Sequence, residues 1–173
     1  MLDIGLVIWC SMMSFVKTKK YTIFEEKIDG VSIVLYYKNG VLDRAVTRGN
    51  GETGNDVTVN VKTIGAVPLK LAEPVTVAVR GEIYLPLEKF TEINQSLENK
   101  FANPRNLAAG TIRRIKSSEV SKVPLNIFVY EGFFENLRIA THHEILYKLK
   151  QLGFRTNPDV IAFTDSEKDI KEL

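Results

Sequence analysis

Residues 31–47 read VSIVLYYKNGVLDRAVT. Val31 to Tyr37 is rich in β-branched and aromatic residues, and Asn39-Gly40 follows almost at once. Asn-Gly supplies the positive φ angles of a tight turn, so 31–37 and 41–47 are expected to pair as antiparallel strands of a hairpin. Working outward, 21–27, 75–80 (VTVAVR) and 125–130 (LNIFVY) have the same strand composition. Three other stretches repeat apolar residues at helical spacing. Leu87, Phe90, Ile93 and Leu97 do so in 87–98, and Leu107, Ala108, Ile112 and Ile115 share one broad face of 105–115. The third opens with Thr141-His142-His143-Glu144, a capping box, carries Ile145, Leu146, Leu149 and Leu152, and stops at Gly153. Strands and helices do not alternate regularly. The expected fold is therefore α+β with mostly antiparallel sheets and packed helices, not a doubly wound one.

At 173 residues, 45% hydrophobic and 25% charged, the chain has a globular composition, which argues against a disordered tail. A net charge of +2 neither demands nor excludes a nucleic-acid partner, because clustering of cations decides that. Cys10 is the only cysteine, so no intrachain disulfide or cysteine-rich zinc site can form, and a reducing, cytoplasmic setting is expected. His142 and His143 are neighbours, pointing about 100° apart on a helix, which argues against a paired metal site. The uncharged run Ile4–Val16 is shorter than the ~20 residues that a membrane-spanning helix needs. Lys17, Lys19 and Lys20 follow that run, where a secretory leader would place its charges in front. Residues 1–20 are accordingly set apart as an atypical apolar segment, 21–173 is read as one domain, and no membrane association is expected.

Four motifs carry chemistry. Lys27-Ile28-Asp29-Gly30 lies where one expected strand turns into the next, so Lys27 can face a pocket where desolvation or nearby cations make its amine nucleophilic. Asp29 can orient that amine or a ligand hydroxyl. In Thr47–Thr58 (TRGNGETGNDVT), Gly49, Gly51 and Gly54 would let backbone N–H groups approach an anion, with Arg48 as a fork-shaped donor. Arg80-Gly81-Glu82 follows an expected strand and places a carboxylate where ribose hydroxyls could reach it. In Phe101–Arg114 (FANPRNLAAGTIRR), Pro104 suits a helix start, and Arg105 and Arg113 stand about 80° apart around that helix, so both can serve phosphate on one side. Each motif alone is also compatible with a polar turn, a glycine-rich loop, a solvated charge pair or a surface helix.

In this order EEKIDG, TRGNGETGNDVT, VRGEIY and FANPRNLAAGTIRR resemble the successive motifs of bacterial NAD-dependent DNA ligases, from about Tyr21 to the C-terminus. KxDG is shared with ATP-dependent ligases and capping enzymes, whereas the TRG and NPRN segments resemble the NAD-using class. The resemblance implies a partial adenylation (nucleotidyltransferase) domain acting in DNA replication and repair. Lys27 would attack the α-phosphate of NAD, release nicotinamide mononucleotide and hold AMP as a covalent lysine adduct. The AMP would pass to the 5′-phosphate of a nick in double-stranded DNA, and the 3′-hydroxyl would displace it. Magnesium (Mg2+) would neutralise charge on the phosphates.

By the same resemblance Glu25 would contact the adenine, Asp29 would support the nucleophile, and Arg48 and Glu82 would hold the ribose and phosphate end. Tyr130 would lie against the adenine ring, and Arg105 and Arg113 would face the phosphates of AMP and the nick. Asn50 and Asn55 stand where the family usually has carboxylates, and Glu26 where a proline or apolar residue is common. Segments resembling the helical nicotinamide-mononucleotide site, the later DGVVIK-like motif, and the oligonucleotide-binding, zinc, helix-hairpin-helix and BRCT regions are not found, so the chain alone is expected to fall short of nick sealing. It is expected to be a monomer. The alternatives at this point are a remnant that binds nucleotide or DNA without chemistry, and an ATP-using nucleotidyltransferase.

Overall fold

A computed structural model describes residues 21–25, 27–49, 54–157 and 161–164. The apolar segment 1–20, Glu26, Asn50 and Gly51, all singled out in the sequence, lie outside those residues. In chain order the elements are β1 (Tyr21–Phe24), β2 (Val31–Lys38), β3 (Val41–Thr47), α1 (Thr58–Val61), β4 (Val77–Tyr84), α2 (Leu87–Ser96), α3 (Pro104–Ile112), α4 (Ser117–Val120), β5 (Asn126–Phe134), α5 (His142–Gln151) and β6 (Ile161–Thr164). They fall into two compact units, Ile28–Thr156 and a smaller one made of the chain up to Lys27 and from Asn157 onward. Within the smaller unit β1 pairs antiparallel with β6. No helix among the described residues is long and apolar enough to cross a membrane.

The larger unit is built on a four-stranded antiparallel sheet in the order β3-β2-β4-β5. Its hairpin forms as the sequence predicts. Asn39 and Gly40 take φ of 47° and 76°, and Lys38 pairs with Val41 directly across the turn. One face is the core: Ile33, Leu35 and Tyr37 of β2, Val77, Val79 and Ile83 of β4, and Ile127 and Val129 of β5 are buried. Leu107, Ala108 and Ile112 of α3 join this core, as do Leu149 of α5 and Leu152 after it. Fully burying a side chain of this size contributes about 1.5–3 kcal/mol, so this face dominates the stability of the unit. Tyr37 keeps its polar end satisfied by donating to the Pro68 carbonyl at 2.7 Å, while Phe154 meets its ring edge-on at 5.5 Å. Burial pushes the Tyr37 phenol pKa well up from its ordinary value.

The fold is α+β, as expected, and several boundaries move. The strand expected at 21–27 ends at Phe24, so Lys27 follows the strand instead of closing it. The strand expected at 75–80 runs from Val77 to Tyr84, which puts Arg80-Gly81-Glu82 inside the strand and not at its end. Gly81 is the physical reason. A Cβ there would stand 2.6 Å from the Phe128 carbonyl, so this close approach of β5 needs a glycine within β4. Likewise β5 continues to Phe134 through Gly132. The helix expected over 105–115 ends at Ile112, leaving Ile115 fully exposed and outside the apolar face assigned to it. The helix expected over 87–98 ends at Ser96 and has no buried residue of its own, although Phe90 and Ile93 are partly buried against the core. The third matches its signals closely: Thr141 and Glu144 make the reciprocal capping box, and Gly153 ends it at φ 101°.

Gly40→Ala places a Cβ 2.6 Å from the Glu73 carbonyl in a left-handed backbone. The variant is expected to lose about 1–3 kcal/mol. Urea unfolding should show a lower midpoint with an unchanged slope.

Candidate functional site

Along each strand the residues between the core positions point to the opposite face of the sheet. On β2 these are Ser32, Val34 and Tyr36, and on β4 they are Ala78, Arg80, Glu82 and Tyr84, all less buried than their core neighbours. Register brings Ser32 of β2, Glu82 of β4 and Phe128 of β5 side by side across three strands. The Phe128 and Tyr84 rings stack with centroids 4.9 Å apart and planes 3° from parallel. The Tyr130 hydroxyl lies 3.4 Å from the Ser32 hydroxyl. Tyr130 owes its place to a β-bulge: Arg80 pairs with Glu131 and Gly81 with Val129, leaving Tyr130 as the extra residue. One end of this face thus gathers aromatic rings, a hydroxyl and a carboxylate, the groups that suit a flat base and sugar hydroxyls.

Asp29 and Gly30 enter at the same end, just ahead of β2. Gly30 is buried against β4, where a Cβ would collide with the Ile83 carbonyl and stand 3.2 Å from Cγ of Glu82. Only glycine lets the chain at position 30 lie this close to β4. Asp29 accepts from Arg105 at 2.8 Å, with the two side chains 66% and 56% exposed. The Asp29 carboxylate, chiefly through this hydrogen bond, raises the Arg105 pKa further, and Glu82 adds to the effect. Exposed pairs of this kind are worth about 0–1 kcal/mol, so exchanging Asp29 for a phosphate oxygen would cost Arg105 little.

The start of α3 fixes Arg105. Asn103 accepts from the Asn106 N–H at 2.8 Å, and Pro104 occupies the first turn. Arg113 stands just past the other end of α3, exposed, its Nε donating to the Ala109 carbonyl at 3.1 Å. The eight-residue separation that suggested a shared side corresponds to about 12 Å along the axis. Arg48 is exposed beyond the end of β3, and its backbone N–H donates to the Ser32 carbonyl at 3.2 Å. Within the smaller unit Glu25 is half-buried and Lys27 exposed.

The glycine-rich segment has a structural task that its sequence did not disclose. Residues 54–58 run along the free edge of β3: Thr47 donates to the Asn55 carbonyl and Val57 to the Ala45 carbonyl. The Thr47 hydroxyl accepts from the Asn55 N–H, and the Thr58 hydroxyl accepts from the Ala45 N–H at 2.9 Å. A Cβ on Gly54 would collide with the Thr47 carbonyl, so this glycine allows an edge to be sealed. Asp56 holds the seal by accepting from both the hydroxyl and the N–H of Thr58, at 2.6 and 2.9 Å. Asn60, unmarked by any sequence motif, is buried in α1 and donates to the Ile112 and Arg114 carbonyls.

Among the described residues no three His, Cys, Asp or Glu side chains converge as a metal site. A magnesium ion in such a site would be held mainly by the phosphates of a bound nucleotide, with one or two carboxylates at most.

A sequence model of the NAD-dependent DNA ligase adenylation domain matches residues 9–173. The match thus begins inside the segment that the sequence reading set apart. The chain is 48% identical over 165 residues to a DNA ligase of Borreliella afzelii, covering 95% of this chain and 25% of that protein. It is 54% identical over 134 residues to a DNA ligase of Borrelia hermsii, covering 78% and 20%. With a DNA ligase of Leptospira interrogans the figures are 48% over 151 residues, 86% and 22%. The chain therefore spans about a quarter, or less, of the length of these relatives.

The edge seal responds to pH in a defined direction. Hydrogen bonds from Thr58, the hydroxyl first, lower the Asp56 pKa below its ordinary value. The stability this confers is complete above the ordinary aspartate range and is lost as pH falls through the lower folded value. In Thr58→Val, Asp56 should titrate at a higher pH by carboxyl-carbon NMR. The stability gap between wild type and variant should narrow as acid protonates Asp56.

Proposed function

The chain belongs to the family of NAD-dependent DNA ligase adenylation domains, and from that premise we propose that Lys27 accepts AMP from NAD on the way to sealing a DNA nick. The observation that carries the reading is the gathering of Asp29, Ser32, Glu82, Arg105 and Tyr130 at one end of the sheet face opposite the core. An aromatic ring, hydroxyl-binding groups and an arginine in a loose ion pair are the components of a nucleotide pocket.

In the first step the unprotonated Lys27 amine attacks the α-phosphorus of NAD. A P–N bond forms, the bond to the bridging oxygen breaks, nicotinamide mononucleotide leaves with that oxygen, and the amine releases its proton to solvent. The 5′-phosphate of nicked double-stranded DNA then takes the AMP, breaking the P–N bond and returning Lys27. In the last step the 3′-hydroxyl forms the phosphodiester and expels AMP. Tyr130 supplies a face for adenine, and Glu25 is a second adenine contact. Glu82 and Arg48 serve the ribose and phosphate end, and Asp29 supports the nucleophile. Arg105 and Arg113 neutralise the phosphates of the adduct and of the nick. Magnesium arriving with the nucleotide would add charge neutralisation there.

Intact-protein mass spectrometry after incubation with NAD and magnesium tests the first step. A gain of one AMP that is absent in Lys27→Ala is expected, with ATP giving none. An adduct that survives in Lys27→Ala would name the wrong nucleophile, and one formed from ATP would place the chain among the ATP-using enzymes. No adduct in folded protein would leave a nucleotide-binding remnant. Arg105→Ala is expected to weaken binding of a 5′-phosphorylated nick more than binding of nucleotide, read by fluorescence anisotropy.

A further inference from the structure

The turn that follows α3 carries Arg113 and Lys116 outward, together with the fully exposed Ile115. A helix end leaves its last carbonyls without partners inside the helix, and such a turn ordinarily frays. Here the carbonyls of Ile112 and Arg114, on either side of Arg113, accept from one side-chain amide. Asn60 Nδ2 reaches them at 2.8 and 2.7 Å. Both amide protons are thereby used, and the neighbours, both acceptors, fix which way the amide points. Asn60 is 8% exposed, and its backbone carbonyl accepts from the Thr63 hydroxyl at 2.7 Å. The next residue, Val61, is fully buried in the core. A buried amide thus transmits the rigidity of the core to the backbone on both sides of an exposed arginine.

We propose that Asn60 is the positioning residue for Arg113: by gripping the carbonyls on both sides of it, the amide fixes where that guanidinium starts from. The consequence for catalysis rests on the reading of Arg113 as a phosphate contact, whereas the geometric claim stands apart from it. Without the amide, Arg113 would still be present and charged, yet it would sample many directions and lose its aim at a phosphate.

NMR of the full chain tests this through the Arg113 Nε–H, which donates to Ala109. In Asn60→Ala its exchange with water is expected to rise about tenfold, the factor set by losing two hydrogen bonds that each contribute at the lower end of the ordinary range. Val61→Ala, a cavity in the same short helix, is the control and should leave that exchange within about twofold while lowering stability. An unmoved Arg113 signal in Asn60→Ala, or an equal rise in Val61→Ala, would overturn the proposal. Should Asn60→Ala not fold, the unsubstituted chain decides. Scalar couplings across the hydrogen bonds from the Asn60 amide to the carbonyl carbons of both Ile112 and Arg114 are expected, and absence of either sinks the claim. The Lys27 adduct is read separately by mass, so failure of one reading is distinguishable from failure of the other.

Discussion

Side-chain alternation along β2, β4 and β5 is the constraint on which everything else in the larger unit depends. Ser32 is out of phase with Ile33, Glu82 with Ile83, and Tyr130 with Val129, so each candidate ligand group sits one residue from a buried anchor. Burying the anchors leaves the ligand groups no other direction. The energy that holds the sheet together is therefore the same energy that aims the site, and no separate scaffold is needed. Loops supply the rest: Gly30 lets Asp29 come in beside β4, and the Asn103 cap delivers Arg105 to it.

Glycine does two different jobs in the motifs. Gly40 accepts a left-handed backbone and also makes room for the Glu73 carbonyl, while Gly30, Gly54 and Gly81 serve only to make room for a neighbouring carbonyl. The second job tracks sheet construction. It explains why TRGNGETGNDVT, read as an anion loop, devotes its last part to closing the β3 edge, where an unsealed row of N–H and C=O groups would invite another strand.

What was legible in the sequence was local. The Asn-Gly turn, the Thr141 capping box, the Gly153 stop and the Pro104 start depend on neighbours a few residues away, and each appears as read. The lengths of β4 and β5 were not legible, because Arg80, Glu82 and Glu131 look like strand ends until the face opposite the core gives them somewhere to point. Asn60 gave no local signal, since its partners are 52 and 54 positions away. Ile115 misled for the opposite reason: its spacing fits the helix, but the chain leaves the helix before reaching it. Of the candidate site, residue types and order were readable, and the pairing of Asp29 with Arg105 was not.

The bulge at Tyr130 has a consequence for how this surface can vary. By inserting one residue it puts Tyr130 and Glu131 on the same side, so Gly132 and Phe134 return to the core on the opposite parity from Ile127 and Val129. Beyond the bulge the face opposite the core is a different landscape: Arg80 lies over the Phe133 ring and binds Glu131, and Arg44 covers Tyr36. The strand thus behaves as two words separated by a space, each with its own spelling rule. One strand therefore carries two burial rules, and the face that a substitution reaches depends on which side of the bulge it falls.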